Sequence, residues 1–184
     1  MKKLYSSAVL ILSMFVAPAA FADKSGGHTE CSDEAKWAID AEFGAGSGDL
    51  TRCLSKKSHV KVVYQINTKC KDATCTAPYA VGNIGNAIKD YENLHGMVRG
   101  RDYELVAVIH SAGWSLVLDD PAKNPFRNAV AGLLDKGVKV LFCQNTARSK
   151  HIGLYDMIPG IGFTTSGVTA LADLQMRGYA MVQP

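Results

Sequence analysis

The chain has 184 residues with a formal net charge of +3, and 47% of its residues are hydrophobic. This length is enough for one domain with one sizeable core. The charge is small and no basic stripe is present, so the electrostatics give no support for binding to nucleic acid.

The N-terminus has the three parts of a secretory signal peptide. Lys2 and Lys3 form a basic start, residues 8–16 are an apolar stretch, and an A-x-A cleavage signal ends at Ala22. A membrane anchor is the alternative, but a transmembrane helix needs roughly 20 apolar residues, and this stretch is short and is followed by Pro18. We therefore expect cleavage after Ala22, a periplasmic or secreted protein, and no membrane span in the mature chain.

All five cysteines lie after the expected cleavage point, and an exported chain meets an oxidising compartment that favours their pairing. Because five is odd, at least one thiol stays unpaired or pairs between chains. The disulfide candidates, which allow three connectivities, are Cys31, Cys53, Cys70 and Cys75. Pairing of the cysteines nearest in sequence would join Cys31 to Cys53 and Cys70 to Cys75, and Cys143 would then be unpaired.

From residue 60 onward, apolar strand patterns alternate with helical patterns. The predicted strands are residues 60–66, 105–109, 138–143, 158–163 and 179–182, and the predicted helices are residues 78–94, 125–134 and 166–176. Asn124 is the expected N-cap of the second helix, with Pro125 at its first position. The strands are apolar throughout, which is typical of a parallel sheet with helices on both faces. We therefore predict an α/β fold.

Reactive side chains lie at the carboxyl ends of two predicted strands, where open α/β sheets form their sites. Cys143 ends the third strand just before a predicted helix start, where unpaired N–H groups stabilise a thiolate. We interpret Cys143 as a nucleophile or sulfur carrier, and His110, after the second strand, as its base or ion partner. The alternatives are a buried structural cysteine and an ordinary hydrogen-bonded strand-end histidine.

Four polar side chains are candidates for substrate binding: Asn83, Asn86, Asn145 and Thr146. Asn83 and Asn86 are three residues apart on a predicted helix, so they share a face, which is either directed at the site or solvated. Asn145 and Thr146 either hydrogen-bond a sulfur anion or cap the next helix. No haem, zinc-protease or phosphate-loop motif is present, and we predict no metal and no cofactor.

Several segments resemble the DsrE/DsrF-like family. They are NIGNAIKDY from residue 83, ELVAVIHSAG from residue 104, GVKVLFCQNT from residue 137 and GVTALADLQMRGYAMVQP from residue 167. The resemblance implies a three-layer α/β/α fold of the flavodoxin/DsrEFH-like type with a mostly parallel five-stranded sheet, and homo-oligomers, commonly trimers or hexamers. It also implies sulfur oxidation or sulfur relay, with Cys143 matching the sulfur-carrying cysteine and His110 resembling a strand-end histidine.

These observations predict three parts: a signal peptide (1–22), an N-terminal extension tied by a disulfide (23–58) and an α/β domain (59–184). We expect an exported sulfur-handling protein of this family that carries sulfane sulfur as a persulfide on Cys143 and exchanges it with a donor or acceptor protein or a small sulfur species. The alternative is a non-catalytic oligomeric binding or assembly module with a structural Cys143. A thiol–disulfide oxidoreductase using Cys70 and Cys75 is disfavoured, because C-x-x-C spacing is missing. These patterns do not decide whether the protein is an enzyme.

Overall fold

The computed structural model describes residues 59–68 and 79–184. The expected signal peptide, the extension at residues 23–58 and the four disulfide candidates Cys31, Cys53, Cys70 and Cys75 lie outside the described residues. In the part of the chain that the structure describes, none of the helices has the length and apolar character needed to cross a bilayer.

Five parallel strands form the central sheet. They are β1 (Val60–Ile66), β2 (Tyr103–Ile109), β3 (Lys139–Cys143), β4 (Gly162–Thr164) and β5 (Ala180–Val182). Their order is β4-β3-β2-β1-β5, and every neighbouring pair is parallel. The α/β fold with a five-stranded parallel sheet is therefore confirmed.

Helices connect successive strands. They are α1 (Tyr79–Lys89), which continues into a π-helical turn (Asp90–Leu94), α2 (Arg127–Asp135), α3 (Gln144–Lys150) and α4 (Gly167–Met176). Two 3-10 helices lie in the connections, at Ser111–Val117 and Leu154–Asp156.

The helices cover both faces of the sheet. Ile84 of α1, Val130 of α2 and Ala147 of α3 belong to the core on one face, and Leu171 of α4 packs with Val63 on the other. Burial of each large aliphatic side chain stabilises the fold by about 1.5–3 kcal/mol relative to its exposure. The chain therefore leaves the adjacent strands β3 and β4 towards opposite faces, and such a change of side opens a crevice at the carboxyl edge of an open sheet.

The start of α2 differs from the prediction. The helix begins at Arg127 with Phe126 at the N-cap position, not at Pro125 with Asn124 as cap. Asn124 is buried instead, and its amide nitrogen donates to the carbonyl oxygens of Leu116 and Leu118 at 3.0 and 2.9 Å. The Asn124 side chain therefore ties the end of the 3-10 helix to α2, because its Oδ1 also accepts the N–H of Phe126 at 3.1 Å.

The fourth strand is shorter than predicted. The prediction of residues 158–163 is wrong at its start, since the N–H of Ile158 donates to the carbonyl of Val117 at 2.9 Å and β4 begins only at Gly162. Ile158 is buried in the core from an irregular segment. The apolar side chain of Ile158 therefore indicates burial in the core, and does not indicate pairing in the sheet.

Candidate functional site

Cys143 is the last residue of β3 and pairs in register with Thr164 of β4. It is a free thiol, and only 5% of the residue is exposed. This position is the crevice between the two strands whose connections depart to opposite faces of the sheet. The sulfur is therefore held at the edge of the core and not in its middle.

Four hydrogen-bond donors surround the Cys143 sulfur. They are the backbone N–H groups of Thr146, Gly167 and Asn145 and the hydroxyl of Thr146. Burial is the largest single influence and raises the pKa of the Cys143 thiol, but the four donors together outweigh it. The pKa of Cys143 is therefore lowered below its ordinary value, because hydrogen bonds to the charged form favour a thiolate.

The N-termini of two helices supply the backbone donors. Asn145 and Thr146 lie in the first turn of α3, and Gly167 is the first residue of α4, after Ser166 as its N-cap. The first N–H groups of a helix have no partner within the helix. The sulfur of Cys143 receives such groups from both helices, which approach it from opposite faces of the sheet.

Gly167 permits the close approach of α4. A Cβ atom at this position would lie 2.8 Å from Cβ and 2.9 Å from Cγ of His110. Real Cβ atoms essentially never come so close, so only glycine allows the start of α4 to lie on the imidazole and to reach Cys143. The sequence analysis did not identify Gly167 as a site residue. It could have been found from its position at a predicted helix start, directly after Ser166, a favoured N-cap residue.

His110 follows β2 and is buried beside Gly167. Its Nε2 accepts from the amide nitrogen of Gln65 at 2.9 Å, and its Nδ1 donates to the Ser111 hydroxyl at 2.8 Å. Because the Gln65 amide nitrogen can only donate, these contacts assign a neutral imidazole. Burial lowers the pKa of His110 from its ordinary value of 6.5, which agrees with that assignment.

Hydrogen bonds connect Gln65 to Cys143 through His110, two different groups of Ser111, and Thr146. Beyond His110 and Ser111, the backbone N–H of Ser111 donates to Oγ1 of Thr146 at 3.0 Å, and the Thr146 hydroxyl donates to the sulfur. Ser111 has a φ of 50°, the left-handed region that non-glycine residues rarely adopt. The turn after β2 is therefore held in an uncommon conformation that points its N–H at Thr146.

The predicted site residues fall into two groups. Asn145 and Thr146 hydrogen-bond the Cys143 sulfur. His110 packs against Gly167, whose N–H is another donor to the sulfur, but its ring nitrogens hydrogen-bond Gln65 and Ser111. Asn83 and Asn86 are exposed on α1 and are not among the donors to the sulfur. Across residues 59–68 and 79–184, no group of three or more His, Cys, Asp or Glu side chains is placed to hold a metal ion.

An open cleft of about 600 Å³ adjoins this site. Its wall is formed by the turn after β2 and by one side of α3, and its lining residues are Ser111, Ala112, Trp114, Asn145, Thr146, Ser149 and Lys150. Asn145 and Thr146 therefore belong both to the cleft and to the hydrogen-bonding shell of the thiol.

The fold and the site define a class: a three-layer α/β protein with a buried free thiol at the carboxyl edge of a parallel sheet. The chain belongs to the DsrE/DsrF-like family, which matches residues 61–184. No curated protein matches it.

Two solved structures share this fold. One is MTH1491, a protein of unknown function from Methanobacterium thermoautotrophicum, with 22% identity and a TM-score of 0.55, covering 68% of this chain and 99% of its own. The other is the ychN protein from E. coli, with 16% identity and a TM-score of 0.51, covering 68% and 99%. At these identities the likeness establishes the fold alone.

Proposed function

We propose that this protein is exported and handles sulfur, carrying a sulfane sulfur atom on Cys143 as a persulfide. The observation that carries the proposal is the shell of four donors around a free thiol whose pKa is lowered. Membership of the DsrE/DsrF-like family supports a sulfur relay role. The export part of the proposal depends on the signal-peptide pattern that ends at Ala22.

The donor shell suits both states of such a carrier. A thiolate is the nucleophilic form of cysteine, and the N–H groups of Asn145, Thr146 and Gly167 favour it. Hydrogen bonds with an ionised acceptor are roughly twice as strong as neutral ones, so the same donors would also stabilise a persulfide anion. The near-complete burial of Cys143 would limit access of oxidants and so slow the irreversible steps of thiol oxidation.

A second candidate function is a binding or assembly module in which Cys143 is structural. The observation that favours it is the same burial, since a free cysteine is among the most buried residue types in proteins. The two candidates differ in thiol reactivity. An accessible thiol with a lowered pKa is alkylated by iodoacetamide near neutral pH, whereas an inert core thiol is not.

The decisive experiment is incubation of the mature protein with inorganic polysulfide, followed by intact mass and peptide mapping. We expect wild type to gain about 32 Da, one sulfur atom, on the peptide that contains Cys143. Cys143→Ser is the matched control and should gain nothing. Absence of the adduct in wild type, or its persistence in Cys143→Ser, would refute the carrier function and leave the binding module.

We also propose that the protein forms a homo-oligomer, as the family resemblance implies. Large exposed apolar side chains are available for such contacts, including Val168 and Met176 of α4 and Tyr155, which is almost fully exposed. Such side chains mark interaction surfaces when they are contiguous. Light scattering after size exclusion tests the proposal, and a monomer at micromolar concentration would contradict it.

A further inference from the structure

The lining of the cleft beside Cys143 carries positive charge and no negative charge. Of its lining residues only Lys150 is charged, and no carboxylate contributes to its wall. The neighbouring cleft of about 420 Å³ shares Trp114 and Lys150 with the first and has a mixed lining, with the carboxylates of Asp119, Asp120 and Asp156 beside Lys123. An anion is therefore favoured in the first cleft, where no carboxylate opposes the charge of Lys150.

One contact and the position of Lys150 on α3 place its charge beside the cleft. Its Nζ lies 5.7 Å from the centre of the Trp114 ring, within the range of a cation–π interaction. Lys150 and Thr146 are four residues apart on α3, so they occupy the same face of the helix, one turn from each other. The Cβ atoms of Lys150 and Thr146 therefore lie roughly 5–6 Å apart, and the lysine is on the side of α3 that carries the residue hydrogen-bonded to the sulfur.

We propose that this cleft binds the sulfur donor, and that the donor is an organic persulfide, R–S–SH, whose R group carries a carboxylate. This inference depends on the proposed carrier function of Cys143. The one-turn separation of Lys150 from Thr146 calls for a donor whose anionic group lies several bonds from its outer sulfur. A cleft of about 600 Å³ is of a size that holds small organic ligands, and it is far larger than an inorganic sulfur anion requires.

The transfer step is balanced without an added oxidant or reductant. The Cys143 thiolate attacks the outer sulfur of R–S–SH, a bond forms between Sγ and that sulfur, and the S–S bond of the donor breaks. The bonding electron pair leaves with R–S⁻, which takes a proton from solvent. The outer sulfur keeps its proton on arrival at Cys143 and then releases it, so the product is a persulfide anion within reach of the donor shell.

The test compares rates of Cys143 persulfidation with three donors. Glutathione persulfide carries carboxylates, cysteamine persulfide carries an ammonium and no carboxylate, and inorganic polysulfide is an anion without an organic group. The readout is, for each organic donor, the rate in a variant divided by the wild-type rate, measured by quenched intact mass. Lys150→Met removes the charge and keeps the length of the side chain, and Lys150→Arg restores the charge.

We expect Lys150→Met to lower the glutathione persulfide ratio roughly three- to fivefold, the size of an exposed ion pair, and to leave the cysteamine persulfide ratio unchanged or raise it, because Lys150 repels the ammonium of that donor. Lys150→Arg should recover most of the loss, and added salt should shrink the difference. Lys139→Met is the control, because Lys139 is exposed at the start of β3, at the far end of the strand from Cys143.

The outcomes separate the two proposals. If wild type forms no Cys143 adduct with any of the three donors, the carrier function itself fails. If adducts form but Lys150→Met lowers both organic ratios equally, or neither, the carrier function stands and the carboxylate-binding cleft is refuted.

Discussion

Thr146 uses one hydroxyl group to join two parts of the site: its Oγ1 accepts the backbone N–H of Ser111 at 3.0 Å and its proton is donated to the sulfur of Cys143. Through this single atom, the turn after β2 is coupled to the thiol at the end of β3. The ionisation of Cys143 therefore depends on a residue that also fixes the loop beside it.

We expect Thr146→Val to raise the pKa of Cys143, because it removes the hydroxyl donor and keeps the shape of the side chain. A hydrogen bond to a charged group contributes about 1.5–3 kcal/mol, so the acid dissociation constant of the Cys143 thiol should fall by roughly tenfold or more. Absorbance of the thiolate at different pH values and the rate of iodoacetamide alkylation both measure it. Thr146→Ser retains the hydroxyl and should stay near wild type; equal loss in both variants would contradict this role.

Gly167→Ala should destabilise the protein and also raise the pKa of Cys143. The new methyl group meets the His110 ring at under 3 Å, and such overpacking typically costs about 1–3 kcal/mol. Any shift of α4 also withdraws an N–H from the sulfur. Gly82→Ala is the matched control, because its Cβ meets no atom within 4 Å and alanine at a helix interior is favoured by roughly 0.5–1 kcal/mol. Urea unfolding of the two variants should therefore shift in opposite directions.

His110 should make the folded state sensitive to acid. Burial holds the pKa of His110 below 6.5, so the unfolded chain takes up a proton that the folded protein excludes. The stability that this provides is complete above pH 6.5 and is lost as the pH falls through the pKa of the folded state. The free energy of unfolding, measured from pH 7.5 to 5, should therefore decline less in His110→Gln than in wild type. Identical slopes would show that His110 does not titrate differently in the folded state.

Asn124→Ala should cost about 3 kcal/mol of stability. Asn124 is 1% exposed, and its side chain satisfies the carbonyl groups of Leu116 and Leu118 and the N–H of Phe126, which would lose their partner. Asn128→Ala, at an exposed position of α2, should stay within about 0.5 kcal/mol of wild type. Denaturant midpoints of the two variants measure the difference. A loss of stability in Asn124→Ala as small as that in Asn128→Ala would contradict this role, because it would mean that water satisfies these backbone groups.

The boundaries of α2 and β4 were the parts of the fold that the sequence predicted poorly. Asn124 is a favoured N-cap residue and Ile158 is apolar, and both properties are local. The structure uses Asn124 to join separate segments and buries Ile158 without strand pairing. Tertiary contacts therefore overrode local preference at both places.

The sequence by itself determined the parallel sheet and the place of Cys143 at its edge, because long apolar runs can be satisfied only by burial on both faces and because Cys143 ends such a run. Only the tertiary structure decided what surrounds the sulfur. Gly167 reaches Cys143 from α4 on the other face of the sheet, and Gln65 reaches His110 from another strand. The tertiary structure also leaves Asn83 and Asn86 exposed on α1. The physical reason is that hydrogen bonds and close approaches between distant segments depend on how helices pack across the sheet, and no local pattern records that packing.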